Sequence, residues 1–509
     1  MSRRHELMLL VTLAMLPFGI TSAVYNASAA EIAAALGFSA DDTSWLIIFY
    51  MLAELLMLPL ASWLVYRIGA TAVLIGGAMF GLGSTLILGF TSEVVAHFLA
   101  WAGLGIAAST MLVAVQVLVL RNLSLKDIAL AEGGMMLMTT LLPMGVYPWI
   151  LAELAETGLW QLIFAAQTIL YIVLLAWLWI RPFHGEDRVI PVKFNLLQAG
   201  LMTGAITGTV LVLMRGQFYN WFDSKLLINL ALGAGALTLM CMLAISKRWG
   251  RGEYIRSDVL MPNKNKVSMY NAALAGFAVL GTSMLIGVYL GSVLKYSHSE
   301  LGWIQLPAFS SMFLGLLVSI WVSNHPRIKA DAVVPIGVLL IILSSASLAS
   351  SNAASGASDL LPALLLRGFG VGLLNVTVSI SILSSFKKEH IPQGVSYFYL
   401  FRTLGGLGGM ALFSRMMSLE TSGVLSVLGE NFNPDNPAFI RQQAAMIEVL
   451  NRGMLEATPA RVASLLGGQL QTQTAAIAGG NNFQWFIISL FILAPILIIG
   501  KKLTARSEQ

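Results

Sequence analysis

The sequence predicts an all-α integral membrane protein with fourteen membrane-spanning helices and both termini on the cytoplasmic side. Three observations support this prediction: the composition, the length of the apolar runs, and the distribution of Arg and Lys among the loops. Of 509 residues, 57% are hydrophobic and only 11% are charged, whereas a soluble chain carries about 25% charged residues. The long continuous apolar runs favour helices over the alternating strands of a membrane β-barrel.

The apolar runs define the predicted spans, because about 20 apolar residues in a helix cross the hydrocarbon core of a bilayer. The first run follows a basic start and resembles a signal peptide, but it is longer than the apolar part of such a peptide, so we interpret it as a span. The fourteen spans lie near residues 6–27, 45–65, 71–90, 95–119, 129–152, 158–181, 196–214, 226–246, 268–290, 302–323, 332–350, 359–384, 393–416 and 483–500.

The basic residues orient these spans. One alternate set of loops, which includes Arg67, Arg121 and Lys387, carries twenty-one Arg and Lys residues, and the opposite set, which includes Arg215, carries seven. Cytoplasmic loops are the ones enriched in Arg and Lys. The charge distribution and the even number of spans therefore both place the two termini in the cytoplasm.

An internal repeat predicts how the spans are grouped. The heptapeptide RIGATAV at 67–73 is echoed by RIKADAV at 327–333, and GLGIA at 103–107 is echoed by GFGVG at 368–372. The two echoes have nearly the same sequence separation, which predicts two parallel halves around an insertion, with a substrate site between them. The predicted division is a six-helix bundle at 1–190, a two-helix insertion at 191–250, a cytoplasmic linker at 251–267, and a second six-helix bundle at 268–509 with an external loop at 419–482. Arg67, Gly69 and Arg327 lie in the matching cytoplasmic turns and are predicted to act in gating.

Several motifs occur in an order that resembles a known family. They are WLIIFYMLAELLMLPLASWL at 45–64, RGFGVGLLN at 367–375, FRTLGGLGGMALF at 401–413, and the external loop ending in QTQTAAIAGGNNFQWF. With the two central extra spans, they resemble the fourteen-span drug/proton antiporter branch of the major facilitator superfamily (EmrB/QacA type). The resemblance implies a major facilitator fold in the inner membrane and export of a small-molecule substrate in exchange for protons. It also implies that the external loop docks a periplasmic adaptor protein and thereby an outer-membrane channel.

The chain departs from the family pattern where the antiporters carry their signatures. The acidic position of the first span is Thr21, and the Arg and Gln that precede the glycines of the fourth span are Leu99 and Ala102. The Gly-Pro signature of the fifth span reads GVYPWI at 145–150. These departures leave several functions open: multidrug export, export of a dedicated metabolite such as an anionic siderophore, import without proton antiport, and a receptor or scaffold that transports nothing.

Glu54 is the first candidate site residue, because a charge in the middle of a span is costly unless it is paired or faces water. Tyr50 and Met51 lie four and three residues before it, on the same helix face. A carboxylate at this depth can carry a proton when alternating access exposes it to each side in turn. A neutral, hydrogen-bonded structural acid is the alternative.

Three further charged residues are candidates for proton coupling or substrate binding. Glu132 begins the fifth span, where a solvated acid at a helix start is an equal alternative. Arg367 and Arg402 lie inside spans and keep their protons, so each needs a counter-charge, a water-filled path or an anionic substrate, unless it snorkels to a surface. The methionines of span five, which include Met136 and Met144, could line a pliable cavity, although ordinary packing is the more favoured interpretation.

The sequence argues against enzymatic and nucleic-acid functions. The single Cys241 excludes an internal disulfide and a cysteine-built metal site. All six His residues fall in loops or at span ends, and the glycine patterns follow no strand, so they do not predict a nucleotide site. We therefore expect no cofactor, no metal, no catalytic set and no nucleic-acid partner.

Overall fold

A computed structural model describes residues 3–181, 193–249, 254–296, 298–325, 327–328, 332–430, 436–452 and 458–507. Within these ranges, every regular element is a helix. The predicted domain boundaries near residues 190 and 250 lie outside the described residues.

Eight helices precede the predicted insertion. They are α1 (Arg3–Leu36), α2 (Ala40–Ile68), α3 (Ala70–Phe90), α4 (Val94–Asn122), α5 (Leu125–Met136), α6 (Leu142–Met144), α7 (Val146–Glu156) and α8 (Gln161–Ile180). A π-helical turn at Leu137–Leu141 joins α5 to α6.

Ten helices follow. They are α9 (Leu196–Arg215), α10 (Lys225–Ser246), α11 (Ser257–Leu260), α12 (Asn263–Val288), α13 (His298–Asn324), α14 (Val334–Ala349), α15 (Ala357–Leu383), α16 (Ile391–Glu430), α17 (Pro437–Arg452) and α18 (Pro459–Ser507). A short 3₁₀ turn at Trp221–Asp223 precedes α10, and a π-helical turn at Tyr289–Val293 follows α12.

Membrane-spanning helices account for most of this list. Among the described residues, eleven helices are long and apolar enough to cross a bilayer, or twelve if the broken α5–α7 unit counts as one span. The two remaining predicted spans correspond to α14, which has only 16 residues, and to α16, which is less apolar. The prediction of an all-helical membrane fold is confirmed, whereas the total of fourteen spans stays a prediction.

The fifth predicted span, 129–152, is not one straight helix. Its two parts, Lys126–Met144 and Val146–Leu154, meet at an angle of 50°. Pro143 and Pro148 lack the N–H groups that would continue the helical hydrogen bonds, and Gly145 between them has non-helical dihedral angles (φ −121°, ψ −68°). The bend therefore lies within the segment GVYPWI, where the family has its signature.

The predicted external loop at 419–482 is mostly helical in the structure. α16 continues to Glu430, well past the predicted end of its span at 416, and α18 begins at Pro459 and not near 483. The amphipathic α17 lies between them, with Leu450 buried against Val462 of α18. Much of the segment that connects the last two predicted spans thus consists of extensions of the two flanking helices beyond their predicted ends.

The helices pair in a repeated order. In the first half α4 packs on α2 and α3, while α8 packs on α1 and α3. In the second half α15 packs on α13 and α14, while α18 packs on α12 and α14. The echoed segments GLGIA of α4 and GFGVG of α15 thus lie on helices with equivalent neighbours.

Glycines of the echoed segments GLGIA and GFGVG set two of these contacts. A Cβ at Gly105 of α4 would overlap the carbonyl oxygen of Tyr50 and would lie 2.9 Å from the amide nitrogen of Glu54 on α2. A Cβ at Gly372 of α15 would overlap the carbonyl oxygen of Met312 on α13. Small residues let helix backbones touch in this way, and in the first half the contact lies directly behind Glu54.

The positions of the helix ends distinguish two opposite faces of the bundle. α2 ends and α3 begins at Gly69, whose positive φ of 90° suits glycine. An ion pair of 2.9 Å between Arg4 and Asp127 brings the starts of α1 and α5 to the same face. We call the face with Arg4, Arg67 and Gly69 the basic face. The opposite face carries the start of α2 with Asp41.

Gly105→Ala is expected to destabilise the protein, because the added methyl group must push α4 away from α2. Overpacking of this kind costs about 1–3 kcal/mol, so the apparent melting temperature in detergent should fall by several degrees. Gly83→Ala on α3 is the matched control, since nothing lies within 4 Å of the site of its Cβ. Fluorescence-detected size-exclusion chromatography after heating measures both variants, and equal thermal stability of the two would contradict the close α2–α4 contact.

Candidate functional site

A cavity of about 510 Å³ lies between the two halves of the molecule. Its wall comes from α1, α2, α5 and α6 on one side and from α12 and α16 on the other, with a contribution from α9 and the turn after it. Ser44 in the first turns of α2 lines the cavity, and so does Glu54 near the middle of that helix. The cavity therefore extends from the centre of the bundle towards the face opposite the basic face.

Glu54, Tyr50 and Met51, three of the residues selected from the sequence, all line this cavity. Glu54 is 6% exposed and Tyr50 is 1% exposed. No ion pair joins Glu54 to Arg402, Arg367 or any other cation in the part of the chain that the structure describes. Glu54 is thus a buried carboxyl group that faces the cavity without a compensating positive charge.

Arg402 lies across the cavity from α2, on α16. Its guanidinium donates hydrogen bonds to the amide oxygen of Asn375 and, at 3.6 Å, to the sulfur of Met136. Met136 belongs to α5 in the other half, so Arg402 connects the two halves.

Glu132 lies behind the cavity wall and is fully buried. Its carboxylate accepts a hydrogen bond from the amide of Gln116 on α4. The Tyr399 hydroxyl of α16 donates to the side-chain oxygen of Gln116 at 3.5 Å. Glu132 and Arg402 are also close enough to interact electrostatically. These four residues form one polar network between the halves, which the sequence did not predict because Gln116 and Tyr399 carry no charge.

Arg367 does not line the cavity. It is 5% exposed, so it does not snorkel to a surface. Its guanidinium donates to the Thr282 hydroxyl at 3.1 Å, to the Ser283 hydroxyl, and to the carbonyl oxygen of Val279 at 3.4 Å. All three acceptors are on α12, so Arg367 ties α15 to α12 within one half.

Methionines make up a large part of the cavity wall. Three of them, Met51, Met136 and Met144, were named in the sequence analysis, whereas the other three lie on α9, α12 and α16. The complete set is Met51, Met136, Met144, Met214, Met284 and Met410. Flexible, polarisable thioethers fit apolar partners of different shapes. Their spacing in the sequence did not predict a common site, because they converge from six separate helices.

The cavity is closed on the side of the basic face. The Tyr66 hydroxyl at the end of α2 donates to the carbonyl oxygen of Glu389, just before α16, at 2.7 Å. Nearby, the Gln393 side chain of α16 donates to the carbonyl oxygen of Tyr254 at 2.9 Å. Burial raises the pKa of the Tyr254 phenol above its ordinary value. The contacts join α2, the segment before α12, and α16.

The predicted gating turns lie at the edge of this closed region. Arg67 is exposed, and its guanidinium lies 5.3 Å from the ring centre of Trp63. Trp63 contacts Phe194, whose ring in turn contacts Tyr254. The Arg327 amide donates to the ring nitrogen of His325 at 3.3 Å, while 329–331 of the echoed turn lie outside the described residues.

Curated relatives match most of the chain at low identity. The multidrug export protein EmrB of Haemophilus influenzae is 22% identical over 496 residues, which cover 94% of this chain and 92% of that protein. The probable multidrug resistance protein EmrY of Escherichia coli is 21% identical over 489 residues, with 94% and 91% coverage. The multidrug transporter protein MdtP of Bacillus subtilis is 20% identical over 427 residues, with 81% and 76% coverage.

Solved structures show the same fold. The human organic anion transporter MFSD10 (TETRAN) superimposes with a TM-score of 0.58 at 12% identity, and the match covers 97% of this chain and all (100%) of that chain. The proton:xylose symporter XylE superimposes with a TM-score of 0.57 at 12% identity, with 96% and 95% coverage. The family model described as Major Facilitator Superfamily matches residues 9–410. The chain therefore belongs to the major facilitator superfamily and is a multi-pass membrane transporter.

Proposed function

We propose that this protein exports a small amphipathic molecule by alternating access and exchanges it for protons. The observation that carries the proposal is Glu54, a buried carboxyl group without a counter-ion, in the wall of a methionine-lined cavity between the two halves. The relatives described above are multidrug export and resistance proteins, which supports export as the direction of transport.

We also propose how the chain is arranged in the inner membrane. Fourteen spans form two six-helix halves, α9 and α10 are an inserted pair, and the basic face with both termini is cytoplasmic. In this arrangement the cavity extends towards the outside, and the Tyr66–Glu389 contact closes the cytoplasmic side. The described conformation then corresponds to an outward-facing state.

Glu54 would couple the proton to the movement of the halves. In the outward-facing state it is accessible from the cavity and can take up a proton, which removes the cost of a buried charge. The halves then rock, Tyr66 separates from Glu389, and the cavity opens to the cytoplasm. There Glu54 releases the proton and the substrate enters. The proton and the substrate thus use the same cavity in alternation.

The electrostatics of the cavity favour a neutral or cationic substrate. Arg402 donates hydrogen bonds to Asn375 and Met136 within the protein, and Glu132 lies within electrostatic range of its guanidinium. Arg367 lies outside the cavity wall. Glu54 forms no ion pair with any cation in the described part of the chain. The anionic metabolite considered from the sequence therefore has less support than an amphipathic molecule that is uncharged or carries a positive charge.

The outer helical extension is the proposed contact for a periplasmic adaptor protein and, through it, an outer-membrane channel. It consists of the end of α16, α17 and the start of α18. The resemblance of the sequence to the EmrB/QacA-type antiporters supports a periplasmic adaptor protein as the partner.

Glu54→Gln is expected to abolish proton-driven transport and leave the fold intact, because the amide has the same shape and cannot carry a proton. Flux of a fluorescent amphipathic cation such as ethidium is measured in proteoliposomes with and without an imposed pH gradient. Wild type should respond to the gradient, whereas Glu54→Gln should show the same flux with and without it.

Glu153→Gln is the control, because Glu153 is an exposed acid at the end of α7, away from the cavity. It should behave as wild type. Gradient-driven flux in Glu54→Gln would refute the assigned role of this residue, and flux that ignores the gradient in wild type would refute proton antiport itself. Absence of any flux would favour the receptor or scaffold alternative.

Substitutions in the network between the halves test whether Glu132 and Arg402 compensate each other. Arg402→Gln and Glu132→Gln should each lower thermal stability, since each removes the opposite charge that lies within electrostatic range of the remaining buried one. The double variant should lose less than the sum of the two, with a coupling free energy of about 0.5–3 kcal/mol. Melting temperatures of purified protein measure this cycle, and additive losses would show that the two charges are independent.

A further inference from the structure

The inserted helix pair forms part of the cavity. Leu213 and Met214 near the end of α9, and Gln217 and Trp221 in the turn that follows, all line it. They lie on the same side as Ser44 of α2, at the end of the cavity away from the basic face. The insertion is thus more than a spacer between the halves, because it supplies one wall of the cavity mouth.

Arg215 fixes this wall to α2. Its side chain is 7% exposed and donates a hydrogen bond of 2.7 Å to the Asp41 carboxylate and one of 3.0 Å to the Ser44 hydroxyl. Its guanidinium also lies 4.8 Å from the ring centre of Trp45 and 4.0 Å from that of Phe218. A charged group held by an acid, a hydroxyl and aromatic faces anchors the end of α9 to the start of α2.

The turn after α9 holds Trp221 in a defined position. Asn220 and Trp221 both have a positive φ, of 51° and 55°. Non-glycine residues rarely adopt this conformation, and it persists where surrounding contacts enforce it. Here the Trp221 amide donates to the carbonyl oxygen of Gly216 at 2.7 Å, and its indole N–H donates to the side-chain oxygen of Gln217 at 3.2 Å.

Gly216 provides the surface against which the indole lies. A Cβ at this position would be 2.8 Å from Cε2 and Cζ2 of Trp221. Any larger residue would therefore displace the ring. The indole N–H is occupied by Gln217, so the ring offers the cavity an aromatic surface and not a free hydrogen-bond donor.

We propose that Trp221 is a specificity-determining residue that stacks against aromatic rings of the substrate at the cavity mouth. The ligand class is an amphipathic molecule with aromatic rings. Trp221 supplies a fixed aromatic surface, and the methionines of the inner wall make further favourable contacts between sulfur and aromatic rings. This inference rests on the proposed function, since it assigns a substrate class to the same cavity.

Binding of a matched pair of cations to the full-length protein in nanodiscs tests the proposal. Tetraphenylphosphonium and tetrabutylphosphonium have the same charge and four substituents each, but only the first is aromatic. Wild type should prefer tetraphenylphosphonium. Trp221→Ala should weaken its binding by about 3- to 10-fold, and should change binding of tetrabutylphosphonium by less than about twofold. Trp221→Phe should retain most of the preference.

Two further variants separate stacking from a structural effect. Gly216→Ala keeps the indole but moves it, so it should reduce the same preference. Phe222→Ala removes the neighbouring aromatic ring, which is 66% exposed and does not line the cavity, and it should leave the preference unchanged.

Several outcomes would overturn the inference. They are an equal loss of both cations in Trp221→Ala, an unchanged preference in that variant, or no preference in wild type. If gradient-driven flux persists in wild type while the preference does not depend on Trp221, only this inference fails. If flux ignores the gradient while Trp221→Ala still loses the preference, the antiport proposal fails and the specificity of Trp221 stands.

Discussion

The cost of placing charge in a medium without water constrains the whole interior of this transporter. A charged side chain in the hydrocarbon region costs several kcal/mol unless it is paired, neutralised or given access to water. The three charged candidates near the cavity meet this requirement differently. Arg402 and Glu132 lie in one polar network, whereas Glu54 borders the cavity and forms no ion pair with any cation in the described part of the chain. A carboxyl group in that situation gains from a proton or from a cationic ligand.

Close backbone contact places Glu54 in this position. Gly105 lets α4 touch α2 at the amide of Glu54, so the carboxyl group is held by backbone packing and not by a hydrogen-bonding neighbour on α4. The equivalent contact of Gly372 with Met312 holds α15 against α13 in the other half. Each half is thereby a stiff unit, and the flexible methionine side chains lie where the two units face each other.

The sequence predicted those features that follow from local composition. Long apolar runs gave the spanning helices, and isolated charges within them identified Glu54 and Arg402, which both reach the cavity. The same reasoning selected Arg367, which does not, because a sequence records that a charge is buried but not what it faces. Trp221 gave no signal, since its role depends on α9 being anchored to α2 by Arg215, 174 residues from Asp41 in sequence. Pro143 and Pro148 were visible from the outset, but the 50° bend between them became clear only in the structure.

The two intramembrane arginines differ in what they connect, and this difference bears on alternating access. Within the described residues, the hydrogen bonds of Arg367 on α15 all go to groups of α12, so they lie within one half and could persist through the proposed rocking of the halves. Arg402 of α16 contacts Met136 of α5, and Tyr399 reaches Gln116 of α4, so these contacts cross between the halves. Contacts between the two halves must break or rearrange when the cavity opens to the other side of the membrane, whereas contacts within one half can remain. In the proposed transport cycle, Arg367 would brace its own half, whereas the Arg402 network would rearrange as the halves move.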